Sequence, residues 1–529
     1  MDKPVKPLSE HVEPDSGGQK QTITDRLLEL ARAKCSLFVD GEGVAYATFP
    51  SSHNVYETWP VNSQHFGRLI GSWYYHSYKK PVKSESKREV CEILAGFAYE
   101  EGRTEDVFLR VGTCQGKHYI DLCNDHWQVI EVSPLGWRVL DQSPVKFIRS
   151  RTMKALPTPV EGGDINQLWQ FINVAERDRL LVLAWLIECF RENTQNPVLE
   201  VLGGHGTGKS TTLEVLRSMV DPNSALLRSM PRNEDDLFVS AQSNWILTYE
   251  NVSLLSDSQQ DVICQISTGS AYAKRALYSD ADETVLQARR PQVINGITPL
   301  ATRQDLIDRC VSIELPKFEP VRRAQKSELD ALFAKAQAKL LGALFQIMAA
   351  ALKLLPDTKL KELPRMADFG LLGTAIGVAV NHPVPFMQLF SANQKTLALS
   401  GIESSPVASA LLELCKKREG GLVFDGIYAD LLKQLDVFRA GHEGWPKSAK
   451  GFANLLKRQA PALALQGVSI ESHGRSSQGS RVRVQYKTCN QSTQRTQHTP
   501  YDSENVDSVR CVRSCKVETG DDQLKRVTI

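Results

Sequence analysis

Val198-Leu199-Glu200-Val201-Leu202 is followed by Gly203-Gly204-His205-Gly206-Thr207-Gly208-Lys209-Ser210, and then by Thr211-Thr212-Leu213-Glu214-Val215-Leu216-Arg217. The first stretch reads as a short apolar strand, the second as a glycine-rich loop, the third as a helix. This is GxxxxGK[ST] in the strand–loop–helix context it requires. Glycines let backbone N–H groups turn inward toward phosphate oxygens, and the helix N-terminus adds partial positive charge. The candidate cradle is Gly203, Gly204, Gly206, Thr207, Gly208, Lys209, Ser210 and Thr211. Lys209 is placed to reach the β- and γ-phosphates of ATP, and the Ser210 hydroxyl to ligate Mg²⁺.

Three further elements follow. Trp245-Ile246-Leu247-Thr248-Tyr249-Glu250 is an apolar strand ending in a carboxylate, suited to hold Mg²⁺ directly or through water. The next residue is Asn251 where a second acid could have activated water, so Glu250 must serve metal, water or both. Pro291-Gln292-Val293-Ile294-Asn295 ends in an amide that can hold the attacking water or the γ-phosphate. Arg303-Gln304-Asp305-Leu306-Ile307-Asp308-Arg309 precedes the strand Val311–Leu315. An arginine there can project to a neighbouring subunit's γ-phosphate, Arg309 first and Arg303 second, with a surface ion pair as the plainer reading. Arg365, opening a later helix, is a third candidate to sense phosphate.

Gly203 to Leu315 resembles the AAA+ core, and within it the superfamily-three helicases and related ATPases of phages, plasmids and integrative elements. The carriers are the compact interval from Gly203 to Asn295, the segment Ile266–Arg275, a hairpin over Ala276–Ala288, and Arg289–Gly296. Asp221–Leu237 and Leu363–Phe369 resemble the mobile-element proteins in particular. The resemblance implies a homo-oligomeric ring, a hexamer being one candidate size. It also implies single-stranded DNA gripped in the channel by the hairpin, with Lys274 and Arg275 in the matching basic positions. The tip, Ser279-Asp280-Ala281-Asp282-Glu283, is acidic and departs from that pattern. Replication of mobile-element DNA is the implied role, with a nucleotide-controlled switch lacking unwinding activity as the alternative and a small-molecule kinase a more distant one.

The rest of the chain is organised around this core. At 529 residues several domains are expected, and 42% hydrophobic with 23% charged residues is ordinary for a globular protein. A net charge of +2 confines any basic surface to local patches. The expected fold is multidomain α/β. Residues 1–22 read as disordered, 23–156 as an α+β domain, 157–316 as the ATPase core behind a Pro/Gly linker, and 317–400 as a helical lid. Residues 404–486 read as a winged helix-turn-helix and 487–529 as a disordered tail. Phe66, Trp73, Tyr74, Tyr75, Tyr78, Lys79 and Lys80 mix aromatics with cations on one helix, which favours core packing over stacking of single-stranded bases. In the C-terminal module, Pro446 marks the first turn of a basic helix. Lys447, Lys450, Lys457, Arg458, Arg475, Arg481, Arg483 and Lys487 face a single acid, Glu471, between Trp445 and Lys487. That excess is the footprint of duplex-DNA phosphate contact, with a protein-docking wing as the alternative.

The eleven cysteines read as reduced thiols, mostly buried, and Cys511 and Cys515 as unpaired tail thiols because no second ligand pair lies nearby. The start of the chain lacks the apolar stretch of a secretory signal. The apolar runs Leu180–Ile187 and Leu340–Leu355 are shorter than a membrane span. A cytoplasmic protein without a membrane partner is expected.

Overall fold

The computed structural model describes residues 21–51, 55–275, 283–317, 325–403, 405–418, 420–439, 445–476 and 479–487. The expected disorder of 1–22 and 487–529 lies almost wholly outside these residues, as do the hairpin tip, Cys511 and Cys515. Two units divide the chain. One takes the residues up to Phe108 with Asp141–Arg149; the other takes Leu109–Leu140 and the chain from Ser150 onward.

In the first unit, helix α1 (Ile23–Lys34) begins with a reciprocal cap, Thr22 to the Asp25 amide and Asp25 back to the Thr22 amide. Strands β1 (Ser36–Val39), β2 (Ala45–Pro50) and β3 (Tyr56–Pro60) form an antiparallel sheet in chain order. Helices α2 (Gln64–Tyr78) and α3 (Ser84–Glu100) close its core around Leu27, Phe49, Phe66, Ile70 and Leu94. The aromatic run is divided by helix geometry. Phe66 and Tyr74 are buried and Trp73 meets Phe49 edge-on at 5.0 Å, whereas Tyr75 and Tyr78 face outward. Packing therefore accounts for only part of that run.

β4 (Val107–Leu109) leads into an antiparallel meander, β5 (Val111–Cys114), β6 (Lys117–Asp121), β7 (Val129–Ser133) and β8 (Gly136–Leu140). β9 (Lys146–Ile148) then returns to pair with β4. The meander belongs to the second unit, so 23–156 is not one domain. The reason is burial. Ile120, Ile130 and Val132 share a core with α4 (Arg179–Glu188). The fully buried Arg110 pairs with Asp221 at 2.9 Å and donates to the carbonyls of Asp121 and Lys154. Leaving either buried partner of such a pair alone costs several kcal/mol, on the order of 3–5.

The central sheet is parallel. Its strands are β10 (Val198–Leu202), β11 (Leu247–Tyr249), β14 (Gln292–Gly296) and β15 (Cys310–Glu314), in the order β11-β14-β10-β15. α5 (Lys209–Val220), α6 (Glu234–Ser243), α7 (Asp257–Thr268) and the short α8 (Gln304–Ile307) connect or flank them, and the hairpin β12 (Ala271–Arg275)–β13 (Glu283–Gln287) projects between α7 and β14. Lys274 and Arg275 thus lie on its first strand, and their side chains are outside the described residues.

α9 (Lys326–Leu354), α10 (Ala367–Ala379) and α11 (Phe386–Glu403) follow. By length and composition α9 could cross a membrane, but its window is 61% buried in the protein and Leu340, Leu344 and Met348 belong to the main core. The Pro/Gly stretch before α4 is not a loose linker. A Cβ on Gly163 would lie 1.9 Å from the Lys339 carbonyl oxygen, and one on Gly342 would lie 1.9 Å from that of Val160. Val160 also donates to the Ala338 carbonyl at 3.0 Å. These glycines serve close backbone approach.

The last module has α12 (Pro406–Lys417), β16 (Gly421–Ile427), α13 (Tyr428–Leu435), α14 (Ala449–Leu465), β17 (Val468–Ser476) and β18 (Gly479–Tyr486), with sheet order β16-β18-β17. The third strand, β16, is absent from the sequence reading. α14 begins after a Ser448 cap, so Pro446 precedes the helix and is not in its first turn. The eight described cysteines are free, and Cys91, Cys189, Cys264, Cys310 and Cys415 are buried.

Candidate functional site

The candidate site lies at the C-terminal end of the parallel sheet. The chain leaves β10 at Leu202 into Gly203, whose φ is +155° and where a Cβ would meet Thr207 Oγ1 at 2.6 Å. Gly206 and Gly208 are left-handed at +74° and +86°. Thr207, buried, donates its hydroxyl to the Gly204 carbonyl. α5 then starts with no side-chain cap and no acid in its first turn, leaving its first N–H groups for an anion. Lys209 folds over the loop and donates to the carbonyls of Gly203 and Gly204 at 2.7 and 2.8 Å. Burial lowers its pKa. Asn173, which sequence reasoning missed, ties the loop to the chain beyond β15 by donating to the carbonyls of Thr207 and Pro316. A lone Asn ahead of α4 carries no signal for that role.

Glu250 follows β11 and accepts from Ser210 Oγ at 3.2 Å, so the hydroxyl and carboxylate proposed for one metal are together. Asn295, fully buried near the end of β14, accepts from the Asn251 backbone N–H at 2.7 Å, and its Nδ2 has no partner among the described residues. Asn251 has φ +54°, a left-handed conformation that Asn tolerates better than most residues, which is the physical reason an amide suits this position. The same end of the sheet opens a cleft of about 490 Å³ whose lining includes Arg177, Leu202, Ile297, Glu314 and Asn393.

Two of the three candidate arginines, Arg309 and Arg365, meet at Asp305, whereas Arg303 pairs with a different carboxylate. The Arg309 carbonyl accepts from the Val198 amide at the start of β10, about 16 Å along the strand from Gly203. Its guanidinium pairs with Asp305 at 2.7 Å and its side chain is only 13% exposed. Arg365, 47% exposed, meets Asp305 at 2.6 Å and Asp308 at 3.5 Å. Arg303 pairs with Asp261 at 2.8 Å. Burial pushes Asp305 up, but the Arg309 hydrogen bond and charge, aided by Arg365, hold it below the usual carboxylate range. The loop carrying Arg303 hangs on β10 itself. Buried Glu200 accepts from the Leu300 and Ala301 amides at 2.7 and 3.0 Å and from the Ser312 hydroxyl.

In the C-terminal module the count of cations overstates the free charge. β16 runs beside β18 and brings Asp425 to Arg483 at 2.8 Å and Arg481 at 3.1 Å. Arg483 and Arg481 in turn lower the Asp425 pKa. Arg458 approaches Asp257 at 3.8 Å. Lys447, Lys450 and Lys457 are exposed, and no carboxylate among the described residues pairs with them. Lys450 and Lys457 line a cleft of about 450 Å³ with Tyr428, Asn454 and Ser480. The Arg475 side chain lies outside the described residues. Among the described residues no three His, Cys, Asp or Glu gather as a metal cage.

Residues 165–388 match the family model of the actinomycete integrative conjugative element replication protein, and residues 407–498 match the RepA C-terminal domain of the same elements. No curated protein matches. Among solved structures the chain is similar to the active helicase Cch of SCCmec type IV, at 13% identity and a TM-score of 0.43 over 86% of this chain and 93% of that one. It is also similar to the apo NrS-1 C-terminal region, at 12% identity and a TM-score of 0.37 over 87% and 98%. JCV helicase follows at 12% identity and a TM-score of 0.20 over 45% and 70%. Likeness at this level says nothing about activity.

Proposed function

We propose, for a chain that carries both matched regions of the replication proteins of actinomycete integrative conjugative elements, that it is an ATP-hydrolysing, DNA-binding replication protein with an AAA+-like P-loop core and a C-terminal winged helix. The observation that carries the reading is the convergence of Lys209, Ser210, Glu250 and Asn295 at one end of a parallel sheet. A glycine cradle that a Cβ would fill and a buried Asn295 amide nitrogen without a partner among the described residues fit a triphosphate and its ion. Backbone N–H groups from Gly204 to Thr211 and the Lys209 ammonium would take phosphate oxygens. Ser210 and Glu250 would hold Mg²⁺, which when bound supplies charge neutralisation at the phosphates. Glu250 orients or deprotonates water, and Asn295 holds that water or the γ-phosphate.

The arginines act in trans, since Arg309 stands a strand's length from its own loop. Arg365 is the presented cation. Arg309 fixes Asp305, which in turn holds Arg365, and Arg303 flanks them. This demands a homo-oligomer, with a hexameric ring as one form. Lys274 and Arg275 on the hairpin meet single-stranded DNA, while Lys447, Lys450 and Lys457 meet duplex phosphates. A second reading, a nucleotide-controlled switch without unwinding, is favoured by Asn251, which puts an amide directly after Glu250 where a second carboxylate could have stood.

The test pairs two variants. Lys209→Ala should lose ATP binding, and Glu250→Gln should keep binding while losing about 10²-fold or more in hydrolysis. Wild-type affinity and turnover in Lys209→Ala would end the nucleotide assignment. Strong stimulation of the wild-type ATPase by single-stranded DNA supports the motor; slow, unstimulated turnover supports the switch.

A further inference from the structure

The first unit lies outside both matched regions, which begin at residue 165. It holds a cationic groove that the nucleotide chemistry does not use. α2 and α3 enclose a cleft of about 590 Å³ whose lining includes Gln64, Arg68, Lys87, Arg88 and Glu92. Three cations thus face one carboxylate, and that carboxylate is 68% exposed and 3.7 Å from Arg88. Lys87 crosses α2 over Gly71, where a Cβ would come within 3.2 Å of the lysine's Cδ. The missing side chain is what lets this ammonium lie along α2.

The groove continues along the helix. Arg68 and Tyr75 are seven residues apart, two turns on one face, and Tyr75 is 52% exposed. Lys79 ends α2 in a left-handed turn at φ +54°, and Lys79, Lys80 and Lys83 are all exposed. Arg68 to Lys79 spans about 16 Å at the helical rise. Between Asn62 and Glu92 there are six Lys or Arg against three Glu. One of the three, Glu89, is engaged toward α1, accepting from Thr24 at 3.2 Å.

We propose that this strip is a binding site for single-stranded DNA, with Arg68, Lys87 and Arg88 on the phosphates and the Tyr75 ring stacked on a base. A row of cations matches a phosphate backbone, and an exposed ring offers a face that only unpaired bases can use. The cations select a polyanion over an apolar partner, and the tyrosine selects single strand over duplex. The site does not depend on the nucleotide reading.

The full-length protein is irradiated with a thymidine oligonucleotide carrying 5-iododeoxyuridine, and the crosslinked peptide is mapped by mass spectrometry. A crosslink within residues 64–88, centred on Tyr75, is expected. In fluorescence anisotropy, Arg68→Glu with Lys87→Glu should weaken oligonucleotide binding about tenfold or more. The neutral pair Arg68→Gln with Lys87→Gln should lower the salt slope by about 1.4, at roughly 0.7 per lost contact. Tyr75→Ala should cost about fivefold or more. Thermal melts and ATPase without DNA should match wild type in every variant, so a folding defect would be visible. Crosslinks confined to residues 271–287 or 445–487, an unchanged affinity and slope in both charge variants, or equal protection of the strip by duplex would each overturn the proposal. Loss of the nucleotide assignment through Lys209→Ala would leave the crosslink untouched, so the two readings fail separately.

Discussion

The loop after β10 and the sheet of the C-terminal module both came to attention through residue type and spacing, yet the fold treats them differently. At the loop, the groups that matter are neighbours in sequence or sit at the same end of one parallel sheet, so Ser210 and Glu250 meet at 3.2 Å although forty residues separate them. In the C-terminal module, the excess of cations lies within Trp445–Lys487, and the carboxylate that occupies two of them comes from outside that window. Asp425, on a strand passed over in the sequence, holds Arg481 and Arg483. A motif whose chemistry is local survives folding, whereas a charge tally is a statement about neighbours that only the fold can supply.

The arginines give the sharpest test, because they too are sequence-indicated cations with carboxylate partners. Arg365→Ala should bind ATP and lose about 10³-fold or more in hydrolysis, as loss of a trans-acting arginine does elsewhere. Mixing it with Lys209→Ala should restore turnover at mixed interfaces. Arg309→Ala should lower the melting temperature as well. If Arg365→Ala hydrolyses normally while Arg309→Ala is inactive and rescued by mixing, the roles of the two are reversed.

The C-terminal module gives an intermediate effect. Lys450→Ala with Lys457→Ala should flatten the salt dependence of duplex binding by about 1.8, at roughly 0.9 per contact. Asp425→Ala should leave it unchanged or steepen it, since two arginines are released. Equal flattening by Arg481→Ala with Arg483→Ala would mean that Asp425 does not withhold them from DNA. The smallest effect is at Asn251. Replacing it by Ala should cost about 1–2 kcal/mol of stability through the left-handed backbone, and replacement by Gly should cost less, read by chemical denaturation.

Much of the core was legible because its signals are periodic or local. The β10 strand, the glycine turn, α5, and the bounds of α2 and α12 follow from hydrophobic spacing and caps. The rest depended on contacts distant in sequence. Nothing in Val111–Leu140 announces that it packs under α4 and α9, because a half-buried meander looks alike whichever core it covers. Asn251 read as a missing acid, when its backbone conformation is a sufficient reason for an amide. For Arg309 the sequence leaves both a trans-acting arginine and an ion pair open, and it is the turn of α8 that sets Asp305 beside it.

The glycine seam between residues 160–163 and α9 bears on how this protein can be divided. A chain opened at Pro157, where the sequence suggests a joint, would lose the β5–β8 meander and leave Ile120's and Ile130's partners on α4 and α9 facing water. Proteases should find little purchase there, since Val160 is hydrogen-bonded and Gly163 is pressed against a helix backbone. A stable fragment containing the candidate nucleotide site should therefore begin ahead of Leu109, with Arg110 retained to meet Asp221.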